Sequence, residues 1–292
     1  KTRIYGTENS TAVYTGGTSK FRADAATATT GLVNGDTIGD VDETTNATAR
    51  SNVGESGLKT QIANMRLAGN RKASNYNIHY VDGGFDITKR DLYIQAGDKS
   101  RAYGDGNETA GYVGGTSKVK VGAATANTGL VNGDVVSDGT ENFDPTATVT
   151  TDAGTAGLKT KIAGAVFGTG LASNYDISYD DGSFAITKRD LTLHAGDKTR
   201  VYGAENSTAT YTGGTSKFRA DAATGTTGLV NGDTVTDVTE STNALITTDA
   251  GTTGLKTQIT GASFGTGKAS NYNITYVDGG FDITKRDLFF KA

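Results

Sequence analysis

Apolar and polar residues alternate along the chain in short runs, and the most regular run is SNYNITYVDGGFDITKRDL, from Ser270 to Leu288. On both sides of Asp278-Gly279, every second residue is apolar. Alternation with period two is typical of a strand with one buried face. An Asp-Gly pair favours a two-residue type I′ turn, in which both residues have positive φ. The pattern therefore predicts a β-hairpin in which Tyr276 pairs with Phe281 on the buried face.

This run belongs to a long repeat. It recurs from Ser74 and from Ser173, and the motif KTRIYG at Lys1 returns as KSRAYG at Lys99 and KTRVYG at Lys198, in steps of 98 and 99 residues. A structural unit is copied in this way more readily than an active site. The spacing predicts three tandem modules, each large enough to bury its own core: residues 1–96, 97–195 and 196–292. We call them copy 1, copy 2 and copy 3.

Other segments of the repeat favour further strands. GLVNGD, from Gly31, predicts a second hairpin with Asn34-Gly35 as its loop. GLKTQI, from Gly57, is typical of a strand or of one helical turn. TSKFRADAAT, from Thr18, is compatible with a short helix, whereas its copy 2 counterpart TSKVKVGAAT favours a strand. We therefore expect mostly β modules, β-grasp-like or sandwich-like, with at most one short helix each.

The joints between modules are short. Leu92 with Ile94, and Leu191 with Leu193, alternate like strand residues just before AGDK, and no Gly/Ser linker follows them. Only a few residues around Gly97-Asp98 and the equivalent pair in the next copy are typical of a free joint. The sequence therefore predicts an extended rod to which each module adds roughly 40 Å.

Composition and charge exclude several classes of function. A formal net charge of −4 argues against a nucleic-acid footprint and against docking on an anionic membrane. No apolar run approaches the roughly 20 residues that a membrane span needs, so no membrane insertion is expected. The chain starts at Lys1 without a signal segment, which predicts a monomeric fragment of a longer protein. The absence of Cys fits either a reduced cytosol or an exported bacterial surface protein.

The order of the repeated motifs is similar to a known family. Tyr5-Gly6, Leu32 to Asp36, Tyr76 to Thr88 and their counterparts resemble the MBG (YGX-type) and YDG repeats of large secreted bacterial adhesins of the filamentous-haemagglutinin type. The resemblance extends over all three copies. It implies a secreted protein of the bacterial cell surface, and within it a non-catalytic spacer or adhesive segment.

The residues that could carry catalysis do not form a repeated site. His79 and His194 are each replaced in the other copies, and both are expected on exposed strands. Zinc or cysteine-nucleophile chemistry is not expected from a chain without Cys and without neighbouring His residues. Asp40 and Asp42 lie in a polar segment with nothing apolar to raise a carboxyl pKa. We therefore expect no enzyme, no catalytic residue and no cofactor.

Calcium at the joints is the main alternative for a site. Asp98 and Asp197 follow Gly in AGDK, with Asp91 and Asp190 upstream, and a hard cation prefers several such oxygen ligands. However, Lys follows Asp98 at once and no EF-hand spacing is present. A turn is the favoured interpretation, and no metal site is predicted.

The basic pairs and the glycosylation sequons are weaker signals. Lys89-Arg90, Lys188-Arg189 and Lys285-Arg286 could hold an anionic polysaccharide, but an Asp follows each pair, so a solvated strand edge is favoured. Sequons occur at five positions, where chance matches are expected in a chain this rich in Asn and Thr: Asn9, Asn46, Asn107, Asn206 and Asn273.

These patterns together favour a structural role. The sequence predicts the stalk of a bacterial surface adhesin, which projects a distal binding domain in adhesion or biofilm formation. Host or matrix glycans would then be bound by other parts of the parent protein, and the binding residues of this chain stay unknown. The alternative is a set of lectin-like modules that bind carbohydrate multivalently.

Overall fold

The computed structural model describes residues 1–291, and its regular structure is almost entirely β. The predicted β class is therefore confirmed. Among the described residues, helical structure is limited to 3-10 helices of three residues each, two in every copy: Asn9–Thr11, Ala73–Asn75, Asn107–Thr109, Ala172–Asn174, Asn206–Thr208 and Ala269–Asn271.

The strands are numbered in chain order. Those of copy 1 are β1 Thr2–Ile4, β2 Ile38–Thr45, β3 Lys59–Leu67, β4 Gly83–Gly84, β5 Asp86–Thr88 and β6 Arg90–Ala96. Those of copy 2 are β7 Lys99–Ala102, β8 Gly111–Tyr112, β9 Val119–Val121, β10 Val135–Phe143, β11 Lys159–Thr169, β12 Tyr175–Asp180, β13 Gly182–Thr187 and β14 Arg189–Ala195. Those of copy 3 are β15 Lys198–Val201, β16 Thr210–Tyr211, β17 Phe218–Ala220, β18 Thr234–Thr242, β19 Lys256–Thr266, β20 Tyr272–Val277 and β21 Gly279–Thr284.

The chain forms two compact units, which we call unit 1 and unit 2. Unit 1 contains Lys1–Gly97, Ser117–Asn142 and Lys161–Asp181. Unit 2 contains Asp98–Thr116, Phe143–Thr160 and the chain from Gly182 onward. Copy 2 thus contributes segments to both units. The module boundaries inferred from the repeat stay a prediction.

In unit 2, two pairs of parallel strands connect two sheets. β14 lies between β17 and β20 in a three-stranded sheet, and β15 lies between β16 and β21 in a five-stranded sheet that continues through β19 to β18. β14 leads into β15 while its parallel neighbour β20 leads into β21. The two neighbouring chain segments therefore pass together from the first sheet into the second.

The predicted Asp-Gly hairpin is wrong. β20 pairs at six positions with β14 and β21 at four positions with β15, so the two arms of the supposed hairpin lie in different sheets. Neither Asp278 nor Gly279 has a positive φ. Position 279 requires glycine for a different reason. A Cβ on Gly279 would lie 2.5 Å from the carbonyl oxygen of Gly196, where the two parallel segments pass from one sheet into the other.

Unit 1 repeats part of this arrangement. β6 pairs in parallel with β12 and antiparallel with β9, and β1 pairs in parallel with β5. β2, β3 and β4 form an antiparallel sheet, and the KTQI part of GLKTQI forms the start of β3, so this motif is a strand and not a helical turn. Copy 1 itself differs at three places. Residues 13–14, the counterparts of β8, form only an isolated bridge between Val13 and Thr2. Residues 76–81 and 21–23, the counterparts of β12 and β9, are not strands.

The segments whose secondary structure was open are now assigned. The copies of TSKFRADAAT form strands β9 and β17 rather than helices. In GLVNGD, the N–H of Asp36 donates to the carbonyl of Val33 at 2.9 Å, and Asn34 and Gly35 both have positive φ. The turn is therefore present, but the predicted second hairpin is wrong. The turn leads into β2, whose strand partner is β3 and not the residues before the turn.

The core of each copy contains a phenylalanine beneath a buried arginine. Phe281 and Ile283 of β21 are buried in a cluster with Ala244. The guanidinium of Arg200, on the neighbouring strand β15, lies 5.9 Å from the centre of the Phe281 ring and donates to the side chain of Asn206 at 2.7 Å. The same arrangement occurs at Arg3 with Phe85 and at Arg101 with Phe184.

Replacing Phe281 by Ala should lower the free energy of unfolding by about 3 kcal/mol or more, because the ring is buried and its loss leaves a cavity. Hydrogen exchange should become faster in β15 and β21, and chemical denaturation should give the size of the loss. Phe289→Ala, at an exposed position, is the matched control. A loss below about 1 kcal/mol would contradict the assignment of Phe281 to the core.

Candidate functional site: the junction between successive copies

Each of the first two copies ends in a strand that lies inside a sheet of the next copy. β6, the last strand of copy 1, lies between β9 and β12 of copy 2. β14, the last strand of copy 2, lies between β17 and β20 of copy 3. We call each of these places a junction; the first lies wholly in unit 1 and the second wholly in unit 2.

Apolar side chains anchor the donated strand. Leu92 and Ile94 of β6 are both 0% exposed, and Leu191 and Leu193 of β14 are equally inaccessible. They pack in the clusters that contain Tyr175 and Tyr272 respectively. Full burial of such a side chain stabilises by about 1.5–3 kcal/mol, so two of them hold the strand firmly.

A buried arginine begins the donated strand. The guanidinium of Arg90 is enclosed by backbone carbonyls, to which its nitrogens donate: Tyr5, Thr125, Ala126, Thr128 and Gly129. Arg189 repeats this arrangement on the carbonyls of Tyr103, Gly225, Thr227 and Gly228, with Asp105 at 2.7 Å as an additional partner. Burial lowers the pKa of Arg90 from its usual value.

Two tyrosines from successive copies share one carboxylate. The hydroxyls of Tyr5 and Tyr175 donate to the same oxygen of Asp134, at 3.1 and 2.7 Å, and the backbone N–H of Val131 donates to Tyr175 at 3.2 Å. The two rings meet edge to face with 5.6 Å between their centres. Burial, and then the hydrogen bond to Asp134, raise the pKa of Tyr175. The second junction repeats these contacts with Tyr103, Tyr272, Asp233 and Val230.

The glycine after the first tyrosine allows the copies to approach closely. Gly6 has φ +74°, and a Cβ there would lie 2.3 Å from Cγ2 of Val131 in the next copy. Gly104, with φ +85°, stands in the same relation to Val230. The Tyr-Gly motif thus combines a left-handed turn with a surface that accepts a valine.

Asparagine side chains complete the junction. Asn174 accepts a hydrogen bond from the N–H of Val53 at 2.9 Å and donates to Asn52 at 2.8 Å. Asn271 does the same with the N–H of Ala153 and the carboxylate of Asp152, whose pKa Lys268 and Asn271 lower. Both asparagines are almost fully buried. Their hydrogen bonds to the preceding copy therefore replace the hydrogen bonds to water that burial removes.

Three of the four aspartates considered for calcium have structural partners: Asp98, Asp190 and Asp197. One carboxylate oxygen of Asp98 accepts hydrogen bonds from the N–H and the hydroxyl of Ser183, at 2.7 and 2.8 Å. Asp197 accepts the N–H of Gly280 at 2.6 Å, and Asp190 accepts the amide of Asn273 at 3.1 Å. Asp98 therefore holds the start of β13 close to the residues between β6 and β7. Asp197 holds the start of β21 close to the residues between β14 and β15. Over residues 1–291, no three potential metal-ligating side chains are grouped together.

The paired carboxylates of β2 are tied into ion pairs. Lys20 and Arg66 hold the pKa of Asp40 at about 2. Asn64 and then Arg66 lower the pKa of Asp42. Both groups are thus ionised at neutral pH, and neither has the raised pKa of a general acid.

In the described chain no helix is long and apolar enough to cross a membrane.

In the first two basic pairs the lysine is exposed and the arginine is buried. Lys89 and Lys188 are exposed, but Arg90 and Arg189 are 2% and 3% exposed, so the expected solvated edge is wrong for the arginines of the first two copies. The sequence signal that could have shown this is the identity of the Arg-Asp-Leu motif in all three copies. His79 is exposed as expected but does not lie on a strand, whereas His194 lies on β14 and is half-buried, 3.0 Å from Asp221.

The side-chain amides of the five sequons are already engaged. The amides of Asn9, Asn107 and Asn206 donate to the carbonyls of Ala47, Ala147 and Ala244 at 2.6–2.8 Å. Asn46 donates to Gly57 and Asn273 to Asp190. A glycan on any of these nitrogens would replace one of its two hydrogens and leave only the other for the existing hydrogen bond.

Replacing Gly104 by Ala should destabilise the second junction, because the new Cβ would overlap Val230. Gly203→Ala is a matched control, since Gly203 also has a positive φ but its Cβ would meet only the flexible end of Arg286 at 3.2 Å. Both variants suffer the same backbone strain of about 1–2 kcal/mol. The additional loss of about 1–3 kcal/mol at Gly104 should be visible in chemical denaturation. Equal losses would contradict the close approach at the junction.

Calcium should not change the melting temperature, because the joint carboxylates are occupied by backbone and hydroxyl donors. Thermal melting with chelator and with millimolar Ca²⁺ should give the same midpoint. A site with a dissociation constant of about 0.1 mM would stabilise by roughly 1 kcal/mol or more under these conditions, and the resulting rise of the midpoint would refute the prediction.

Comparison with known proteins gives one family match. Residues 191–282 match the family model described as MBG domain (YGX type). The resemblance seen in the sequence is therefore confirmed for that segment, which covers about a third of the chain. The match starts within β14 and ends within β21, so it includes the strand donated by copy 2. No curated protein and no solved structure matches the chain.

Proposed function

We propose that this chain is a stalk segment of a bacterial surface adhesin, in which the copies act as mechanically coupled spacers. The observation that carries the proposal is the donated strand. β6 and β14 tie each copy to the next by parallel strand pairing over six positions, together with a buried arginine. Two copies joined in this way have no flexible coil between them, which suits a part that must transmit force and hold a distance.

The family match supports the same role. The MBG domain that matches residues 191–282 suggests an adhesin-associated repeat module. Domains of this kind are found in extracellular bacterial surface proteins, and we propose that localisation for this chain. Binding of host or matrix glycans is then the task of other parts of the parent protein.

The charge and site chemistry agree with a non-catalytic spacer. The carboxylates, arginines and asparagines described above are used for contacts within and between copies. Repeats of this type contribute length, and each copy can be duplicated because it presents the same surfaces to its neighbours.

Solution scattering tests the proposal. A rod of three modules should have a maximum dimension on the order of 120 Å, against about 60–70 Å for a compact particle of this mass. Insertion of six Gly/Ser residues after Gly97, next to the first junction, should broaden the distance distribution. Scattering from the unaltered chain as a compact particle would refute the stalk.

The second candidate, a multivalent lectin, is addressed by a glycan array. The chain Lys1–Ala292, in which copies 2 and 3 contain their donated strands, should bind none of the glycans if the copies are spacers. Binding by this chain would favour the lectin, in which three weak sites would act together.

A further inference from the structure

The chain enters copy 3 and leaves it through neighbouring strands. Residues 189–201, which contain β14 and β15, are the entry segment, and residues 272–284, which contain β20 and β21, are the exit segment. β14 pairs with β20 over six positions and β15 with β21 over four, and both pairings are parallel. Tension along the chain therefore pulls the entry segment towards its first residue and the exit segment towards its last. The two segments are driven to slide past each other, and the load falls on all of these backbone hydrogen bonds at once.

Side-chain hydrogen bonds join the same two segments. The carboxylate of Asp197, in the entry segment, accepts the N–H of Gly280 in the exit segment at 2.6 Å. The amide of Asn273, in the exit segment, donates to Asp190 in the entry segment at 3.1 Å. Both bonds would break if the segments slid by one position, so they add to the resistance of the strand pairs.

The loaded strands are shielded from water. Leu191 and Leu193 of the entry segment are buried, as are Tyr272 and Phe281 of the exit segment. β14, β15 and β21 each lie between two other strands of their sheets. Water can take over a stretched hydrogen bond only where it can reach it, and a hydrogen bond in a dry surrounding is stronger than one in water. The pairing therefore yields as a whole and not bond by bond.

The remainder of copy 3 lies outside this path of tension. Residues 202–271, which contain β16 to β19, start directly after the entry segment and end directly before the exit segment. At the start of this stretch, the N–H of Tyr202 donates to the carbonyl of Thr284 at 2.9 Å. Tension passes from one segment to the other across the strand pairs, so the stretch between them bears none while the pairs hold.

Copy 2 has the same two pairings. β6 pairs with β12 over six positions within unit 1, and β7 pairs with β13 over four positions within unit 2, again in parallel. The side-chain bond of Asp197 also has its equivalent, since Asp98 accepts the N–H of Ser183 at 2.7 Å. The arrangement is thus a property of the repeat and not of one copy.

We propose that these parallel pairings are mechanical clamps, which resist tension along the chain in shear far better than they resist being pulled apart sideways. The inference deepens the proposed stalk function, on which its use in the cell rests. Its physical content is a direction dependence of the unfolding force, and this does not depend on where the protein is located. A clamp that fails releases the roughly 96 residues from 189 to 284, on the order of 300 Å of extended chain.

Single-molecule pulling in two directions tests the clamp of copy 3. The chain contains no Cys, so handles attach only at introduced pairs. Lys188→Cys with Lys285→Cys loads the two segments in shear. Lys188→Cys with Ser270→Cys, the matched control, places both handles next to the paired starts of β14 and β20 and opens the ladder one bond at a time. All three positions are exposed, so both variants should keep the parent's free energy of unfolding in chemical denaturation.

Forced unfolding depends on the height of the barrier and not on the equilibrium stability. The shear variant should therefore unfold at a force several-fold higher than the control variant, in a single step. Equal forces, or a lower force in shear, would overturn the proposal. A compact particle in solution scattering would remove the stalk but leave this difference in force intact, so the two proposals fail separately.

A loop insertion tests the path of tension. Six Gly/Ser residues after Thr253, an exposed residue between β18 and β19, lie within the stretch that should bear no load. In the shear variant, this insertion should leave the unfolding force unchanged and lengthen the released chain by about 20 Å. An unfolding force that falls to the value of the control variant would mean that tension runs through this stretch, and it would overturn the proposal.

Discussion

Burial of two apolar side chains on the last strand of a copy, inside the sheet of the following copy, is the contact on which the rest of the structure depends. Leu92 with Ile94, and Leu191 with Leu193, lie where the flanking strands of the next copy converge. Copy 1 shows the effect of the missing strand. Without a donated strand, its residues 76–81 and 21–23 keep their local contacts but do not form strands. A sheet that lacks its central strand has no backbone partner for either neighbour.

The arginine at the start of the donated strand gives the contact its register. Arg90 directs its nitrogens at five carbonyl groups and at no carboxylate, so its charge is balanced by backbone dipoles. A shift of two positions would leave those carbonyls and the guanidinium unpaired in a buried place, which is costly. Because the arginine stays charged at all ordinary pH values and its carbonyl partners do not titrate, this contact contains nothing that acid or base could release.

Local pattern predicted the buried face of β21 but not the strand partners, and Tyr276, predicted on the same face, is only half-buried. Alternation correctly placed Phe281 in the core, since it depends only on which side of a strand faces inward. It could not show that β20 pairs with β14, because these segments are about 80 residues apart and parallel pairing leaves no turn signal between them. Asp278-Gly279 was misinterpreted because glycine serves equally for a left-handed turn and for a close backbone approach. Arg189 was placed in solvent because the pattern showed the Asp that follows it but not the carbonyls that enclose it.

The position of the donated strand has a consequence for how such a chain can change its length. Each strand that crosses into the next copy begins with the same Arg-Asp-Leu, and both receiving sheets in the chain accept it in the same register. A recombination event that inserts or deletes one full period therefore rebuilds equivalent junctions wherever in the repeat the breakpoints fall. A loss of half a period would leave a donor without its receiving sheet. The junction geometry thus favours a constant period and leaves the number of copies free to change.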